Sequence, residues 1–219
     1  MRKIYFILAI IIFSLTSCFE ITEDITIHKD GSGQANYIFN FSQSQTKINA
    51  LLLLETVNGY KVPSRHQINQ KISVFMDSLK MQKGITNVKY SYDEKLFILK
   101  LSANFDNVNR LNNGVYQFWQ KFDKTNAKKE RYYNYTKKAF YHQPGNLFHQ
   151  LYLKLKQADK DVLDGATYTI LFRFDQKVVS QTQPEGKISK QGNIVFLKLP
   201  LQSIVNQPFL FKNYIVLQP

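Results

Sequence analysis

Ile21-Thr22-Glu23-Asp24-Ile25-Thr26-Ile27-His28-Lys29-Asp30-Gly31-Ser32-Gly33-Gln34-Ala35-Asn36-Tyr37-Ile38-Phe39-Asn40-Phe41 is the stretch on which the fold turns. Ile21, Ile25 and Ile27 alternate with Thr22, Asp24, Thr26 and His28. Beyond Asp30-Gly31-Ser32-Gly33, the residues Ala35, Tyr37, Phe39 and Phe41 alternate with Gln34, Asn36 and Asn40. A repeat of two residues belongs to a strand with one buried face. Two such runs joined by a turn rich in Asp and Gly predict a β-hairpin. Gly31-Ser32-Gly33 also has the composition of a phosphate cradle, but no helix follows it, which favours the turn.

Toward the N-terminus, Arg2 and Lys3 precede an apolar run from Ile4 to Ile12, extended by Phe13 and Leu15. This is a secretory signal layout, and the run is shorter than the roughly 20 residues that span a bilayer. Leu15-Thr16-Ser17-Cys18 resembles the lipobox of bacterial lipoproteins. The resemblance implies a signal peptide over residues 1–17, cleavage before Cys18, and acylation of Cys18 as the membrane anchor of a single domain over residues 18–219. Each buried methylene contributes about 0.8 kcal/mol, so stable anchoring takes more than one acyl chain. Cys18 is the only cysteine, and its modification leaves no thiol for a disulfide, a metal site or a nucleophile. The first strand starts within a few residues of Cys18, which keeps the domain close to the membrane. Phe19 is not the aspartate that marks inner-membrane retention in some bacteria, so the family logic points to the outer membrane. Glu20, Glu23 and Asp24 resemble acidic surface-export signals and also fit the solvent face of the first strand.

Toward the C-terminus the pattern mixes helices and strands. A helix is expected over about Ser44 to Val57, ended by Asn58-Gly59, and another over Ser64 to Lys83. In the second, Ile68, Ile72, Phe75 and Leu79 recur at helical spacing, and Ser64 with Gln67 can form a capping box. Gly84 ends it. Ile85, Val88, Tyr90 and Tyr92, then Phe97, Leu99 and Leu101 beyond Asp93-Glu94, predict a second hairpin. Asp106 is the expected N-cap of a helix reaching Trp119, weakened in its middle by Asn112-Asn113-Gly114. Past Pro144-Gly145 a helix carries Leu147, Leu151 and Leu155. Strands follow at Tyr168 to Phe174, Gly186 to Ser189, Ile194 to Leu199 and Phe209 to Val216. The expected fold class is α+β, a mainly antiparallel sheet built from β-hairpins with helices packed on one face and solvent on the other.

A 44% hydrophobic share in 219 residues supplies a sizeable core and argues against a disordered stalk. The formal charge of +13 favours anionic neighbours such as lipid headgroups or surface polysaccharide, with nucleic acid the least expected.

Ile25-Thr26-Ile27-His28-Lys29-Asp30-Gly31-Ser32-Gly33 just past the lipobox is similar to the LppM-like family of bacterial lipoproteins. So are Ala166-Thr167-Tyr168-Thr169-Ile170-Leu171-Phe172-Arg173-Phe174, the Val178-Val179 pair and Gly192-Asn193-Ile194-Val195-Phe196. The resemblance implies an α+β sheet domain facing away from the membrane, no assigned enzymatic activity, and a role in binding lipid-like or envelope components. Unlike many such proteins, this chain shows no C-terminal transmembrane helix, which makes Cys18 its expected sole anchor.

Chemistry is sparse. The sequence has no His-Glu-x-x-His, no Gly-x-Ser-x-Gly and no phosphate-binding glycine loop. His28, His66, His142 and His149 do not show ligand spacing, and His142 and His149 flank Pro144-Gly145. No cofactor, no metal and no catalytic residue is expected. The candidate binding segment runs from Lys121 to Lys138, where Lys128, Lys129, Arg131, Lys137 and Lys138 are interleaved with Tyr132, Tyr133 and Tyr135. Its lysines could neutralise phosphate or sulfate groups while its rings stack on bases or sugars. The favoured reading of the same residues is an ordinary strand with inward aromatics and solvated lysines, which still places positive charge near an anionic bilayer. Three functions remain in view. They are a non-enzymatic envelope binding or assembly module using this basic aromatic face, a carrier of a lipid-like ligand in an apolar cavity under the helices, and a hydrolase of envelope polymers without a visible catalytic set.

Overall fold

Strand β1 (Glu20–Ile27) pairs antiparallel with β2 (Gly33–Asn40), with Ile27 opposite Gly33 and Glu20 opposite Asn40. The connecting turn is closed from within. Asp30 Oδ1 accepts from the Ser32 backbone N–H at 2.9 Å and from Ser32 Oγ at 2.6 Å, and the His28 N–H donates to the Ser32 carbonyl at 2.8 Å. The computed structural model describes residues 19–57, 59–122, 131–143, 147–153, 160 and 165–219.

The second expected hairpin is also present, as β5 (Ile85–Asp93) and β6 (Ile98–Phe105). Later strands β9 (Thr167–Phe174), β11 (Lys187–Ile188) and β12 (Ile194–Pro200) complete a seven-stranded sheet in the order β11-β12-β9-β1-β2-β6-β5. This sheet is mainly antiparallel, as expected, but not purely so, because β1 and β9 run parallel, from Glu20 opposite Thr167 to Ile27 opposite Phe174. Alternation sets which face a residue occupies but not the direction of its strand, and the long excursion between β2 and β9 serves as the crossover that parallel pairing requires.

A second sheet of four strands runs β10 (Val178–Gln181), β13 (Asn213–Leu217), β8 (Ala139–His142) and β7 (Tyr133–Thr136). It packs on the inner face of the first. Phe140 meets Phe172 and Phe174 edge-on with ring centroids 4.9 and 5.6 Å apart. The helices expected to cover that face therefore share it with strands. The outer face is solvated and carries polar pairs, including a two-pronged contact of Arg173 with Asp24 at 2.7 and 3.0 Å.

Helix α1 (Gln45–Leu51) is shorter than expected and buries none of its residues. Its apolar residues find no buried surface to hold them, the chain leaves the helix, and Thr56–Val57 (β3) instead pairs with Tyr60–Lys61 (β4) in a two-stranded ribbon. Helix α2 (Arg65–Lys80) opens with the expected capping box of Ser64 and Gln67, and lays Ile72, Phe75, Met76 and Leu79 against Leu99 and Leu101. Helix α3 (Val108–Phe122) starts one residue later than expected. Asn107, not Asp106, caps it, accepting from the N–H groups of Asn109 at 3.0 Å and Arg110 at 3.3 Å. Asn112 does not break this helix. Its amide faces β7, donating to the Tyr133 carbonyl at 2.8 Å and accepting from the Tyr133 N–H at 2.9 Å. Helices α4 (Leu147–Leu153) and α5 (Leu201–Asn206) complete the cover. The strand expected from Phe209 starts only at Asn213, after a 3-10 turn over Pro208–Phe211.

Candidate functional site

The inner face of the seven-stranded sheet is not filled everywhere. Between the second sheet and helices α2 and α3, over β1, β2 and β6, lies a cavity of about 200 Å³. Its walls are Phe39, Leu101, Phe75, Met76, Leu79, Leu111, Val115, Phe118 and Trp119, with Ile204 and Phe211 from the C-terminal part of the chain. An apolar cavity of about 150 Å³ stays dry and takes up an apolar guest such as benzene. The present one is larger, and most of its lining is apolar.

At one place the lining is polar. Glu23 lies on β1 in phase with Ile21, Ile25 and Ile27, and is 3% exposed. Tyr133 Oη donates to Glu23 Oε1 at 3.0 Å, and Tyr168 Oη donates to Glu23 Oε2 at 2.8 Å. Tyr37 Oη lies 2.9 Å from Tyr133 Oη. His142 Nδ1 lies 2.9 Å from the Phe211 carbonyl, which can only accept, so Nδ1 carries the hydrogen and Nε2 faces Glu23 Oε1 across 4.0 Å. All five side chains border the cavity.

Burial governs the electrostatics. The Glu23 carboxyl is pushed up from 4.5 to about 7 by loss of solvent, against the pull of the two tyrosine hydrogen bonds. Burial holds His142 down at about 4, against the opposing effect of its bond to Phe211, so the imidazole is neutral near pH 7. Tyr37, Tyr133 and Tyr168 are each driven well above the usual phenol range by burial and by the adjoining Glu23. The cluster therefore holds a carboxyl balanced between its two forms, with no lysine or arginine among the described lining residues.

The basic aromatic segment divides in the structure. Lys128 and Lys129 lie outside the described residues, as does Cys18. Arg131 is exposed, and Lys137 and Lys138 are exposed at the β7–β8 turn. Tyr132 and Tyr133 are turned inward, 6% and 3% exposed, and both border the cavity. Tyr135 packs over the first hairpin, donating to the Lys29 carbonyl and to Gln176 Oε1, each at 3.1 Å. Among the described residues, Arg131, Lys137 and Lys138 thus do not form one stacking surface with the three rings. His149 also borders the cavity, with Nδ1 bonded to the Val205 carbonyl. Among the described residues no group of three or more His, Cys, Asp or Glu could hold a metal ion.

Glu23 is the residue that sequence reasoning misplaced. It was expected on the solvent face with Glu20 and Asp24, yet its position in the alternation coincides with the isoleucines. A carboxyl in register with an apolar face was the available signal. Tyr37 and Tyr168 were in the same phase as their buried neighbours, but nothing local joined them to one another.

No protein-family model matches the chain, and no curated protein does. Among solved structures it is similar to the folded domain of the Mycobacterium tuberculosis LppM protein, determined by NMR. The two share 12% identity over 91% of this chain and 87% of that one, with a TM-score of 0.39. Among the described residues no helix is long and apolar enough to cross a membrane.

Proposed function

We propose that this chain is a non-enzymatic lipoprotein of the bacterial envelope that binds an apolar, lipid-like ligand in the cavity between its sheets and helices. The observation that carries the reading is the cavity itself. A densely packed interior leaves few voids larger than a water molecule, and a mostly apolar space of about 200 Å³ between the side chains, beside a buried polar cluster, is the form of a ligand site rather than of a core. In this reading Cys18 is acylated and holds the domain at the outer membrane, next to the source of such ligands. Exposed Arg131, Lys137 and Lys138 favour a supporting contact with anionic headgroups or polysaccharide.

Trp119, the only tryptophan in the chain, borders the cavity and serves as the reporter. The full chain is titrated with 10-bromodecan-1-ol, whose bromine quenches indole fluorescence. Saturable quenching is expected, together with its loss in Val115→Phe, which fills the space with a larger side chain. Quenching that rises linearly, or that persists unchanged in the filled variant, rejects the cavity as the binding site. Lipid extracted from the purified chain and identified by mass spectrometry supplies the natural guest.

A further inference from the structure

The polar cluster at the cavity wall can be counted proton by proton. The Tyr133 hydroxyl hydrogen goes to Glu23 Oε1 and the Tyr168 hydroxyl hydrogen to Glu23 Oε2. With Tyr133 committed as donor to Glu23, the contact between Tyr37 and Tyr133 leaves Tyr37 as the donor. The hydrogen on His142 Nδ1 goes to the Phe211 carbonyl. Every side-chain hydrogen of Tyr37, Tyr133, Tyr168 and neutral His142 is therefore spent inside the protein. What this cluster keeps unspent is lone pairs, on the Glu23 carboxylate, on the Tyr37 and Tyr168 oxygens, and on His142 Nε2.

We infer that the cavity selects guests whose polar end is an uncharged hydrogen-bond donor, a hydroxyl on an apolar chain, and rejects those that end in a carboxylate or an ester. This rests on the cavity reading above and names the chemistry of its ligand. A hydroxyl hydrogen meets a surplus of acceptors. An ester offers only acceptors to a Glu23 cluster that has no donor left, and buried acceptors without partners are costly. A carboxylate adds like charge beside Glu23, whose ion-pair partners among the described residues are limited to neutral His142. When Glu23 is protonated the cluster gains one donor, and burial keeps that form populated up to about pH 7. The groups facing Glu23 are Tyr133, Tyr168 and, across 4.0 Å, His142, so acidification adds at most that one hydrogen before His142 itself takes a proton near pH 4.

The test is competition in the full chain, above the pH at which Glu23 titrates. Decan-1-ol, decanoate and methyl decanoate each displace 10-bromodecan-1-ol, with recovery of Trp119 fluorescence as the readout. Decan-1-ol is expected to displace the probe at concentrations at least about tenfold lower than the other two, because a site built around one hydrogen-bonding pattern discriminates strongly against guests that lack it. The comparison is made on the unaltered chain and needs no variant to fold. In Glu23→Gln, whose amide supplies donors, the preference over methyl decanoate is expected to shrink. Equal or tighter displacement by decanoate or methyl decanoate overturns the head-group inference while leaving the cavity as a binding site. Failure of all four compounds to bind overturns both.

Discussion

Tyr168 donates its hydroxyl hydrogen to Glu23 Oε2 at 2.8 Å across the parallel pairing of β9 with β1. The two strands lie side by side although their sequence positions are far apart. Tyr168 stands opposite Ile21 on the inner face, two residues along the strand from Glu23, and its long ring reaches the carboxyl diagonally.

Replacing Tyr168 with Phe leaves one oxygen of a buried carboxyl without its donor. The expected cost is about 1–3 kcal/mol above the pH at which Glu23 ionises, and less below it. Because that bond holds the carboxyl down, the Glu23 titration should also move above about 7. Urea unfolding at both pH extremes, with carbon NMR of the Glu23 carboxyl, checks both effects. A cost that is the same in acid and base would argue that the bond does not act on the charge.

Stability should depend on pH through two opposed groups. Folding raises the Glu23 pKa from 4.5 to about 7, so its contribution is full below pH 4.5 and is lost as pH rises through about 7. Folding lowers His142 from 6.5 to about 4, so its contribution is full above pH 6.5 and is lost as pH falls through about 4. Over the shared window the two nearly cancel in the unaltered chain. Glu23→Gln should expose a stability that rises with pH up to 6.5, and His142→Gln one that falls with pH from 4.5 to about 7, each by roughly 3 kcal/mol. Denaturant midpoints across this range measure the slopes. Profiles parallel to that of the unaltered chain would contradict the burial of these groups.

Asn112 joins helix α3 to the second sheet through both polar groups of the Tyr133 peptide. Asn112→Ala removes both bonds and leaves a buried N–H and C=O unpaired, for an expected loss of about 2 kcal/mol. Tyr133 is also a Glu23 donor, so the same substitution should weaken decanol binding. Unchanged affinity would show that the cluster holds its geometry without the helix.

Gly33 admits no side chain, because a Cβ there would lie 1.9 Å from the Thr26 carbonyl oxygen. That atom belongs to the paired strand of the central hairpin and cannot swing aside. Gly33→Ala is expected to cost about 3 kcal/mol or more, read from thermal or urea unfolding. A loss below about 1 kcal/mol would mean that the hairpin tolerates a shift in register.

Lys137 and Lys138 stand exposed at the β7–β8 turn, away from the Glu23 bonds. Reversing both charges should weaken attachment of the chain to vesicles containing anionic lipid by about 1 kcal/mol per lysine, and leave decanol binding unchanged. Vesicle sedimentation at low and moderate salt reads the first effect, and Trp119 quenching reads the second.

The locally encoded features were legible in the residues themselves. Period-two alternation with Asp30-Gly31-Ser32-Gly33 between its halves specified the first hairpin, the same logic specified β5 and β6, and Ser64 with Gln67 specified the start of α2. In each case the interacting groups are near in sequence or repeat with a fixed period. Only the tertiary structure decided that β9 runs parallel to β1, that Tyr133–Thr136 and Ala139–His142 build a second sheet, and that Tyr37, Tyr133, His142 and Tyr168 close around Glu23. Alternation tells a side chain which face it occupies but not which strand will lie beside it or what will cover it. For Glu23 that difference separates a solvated acid from a buried carboxyl at the wall of a cavity.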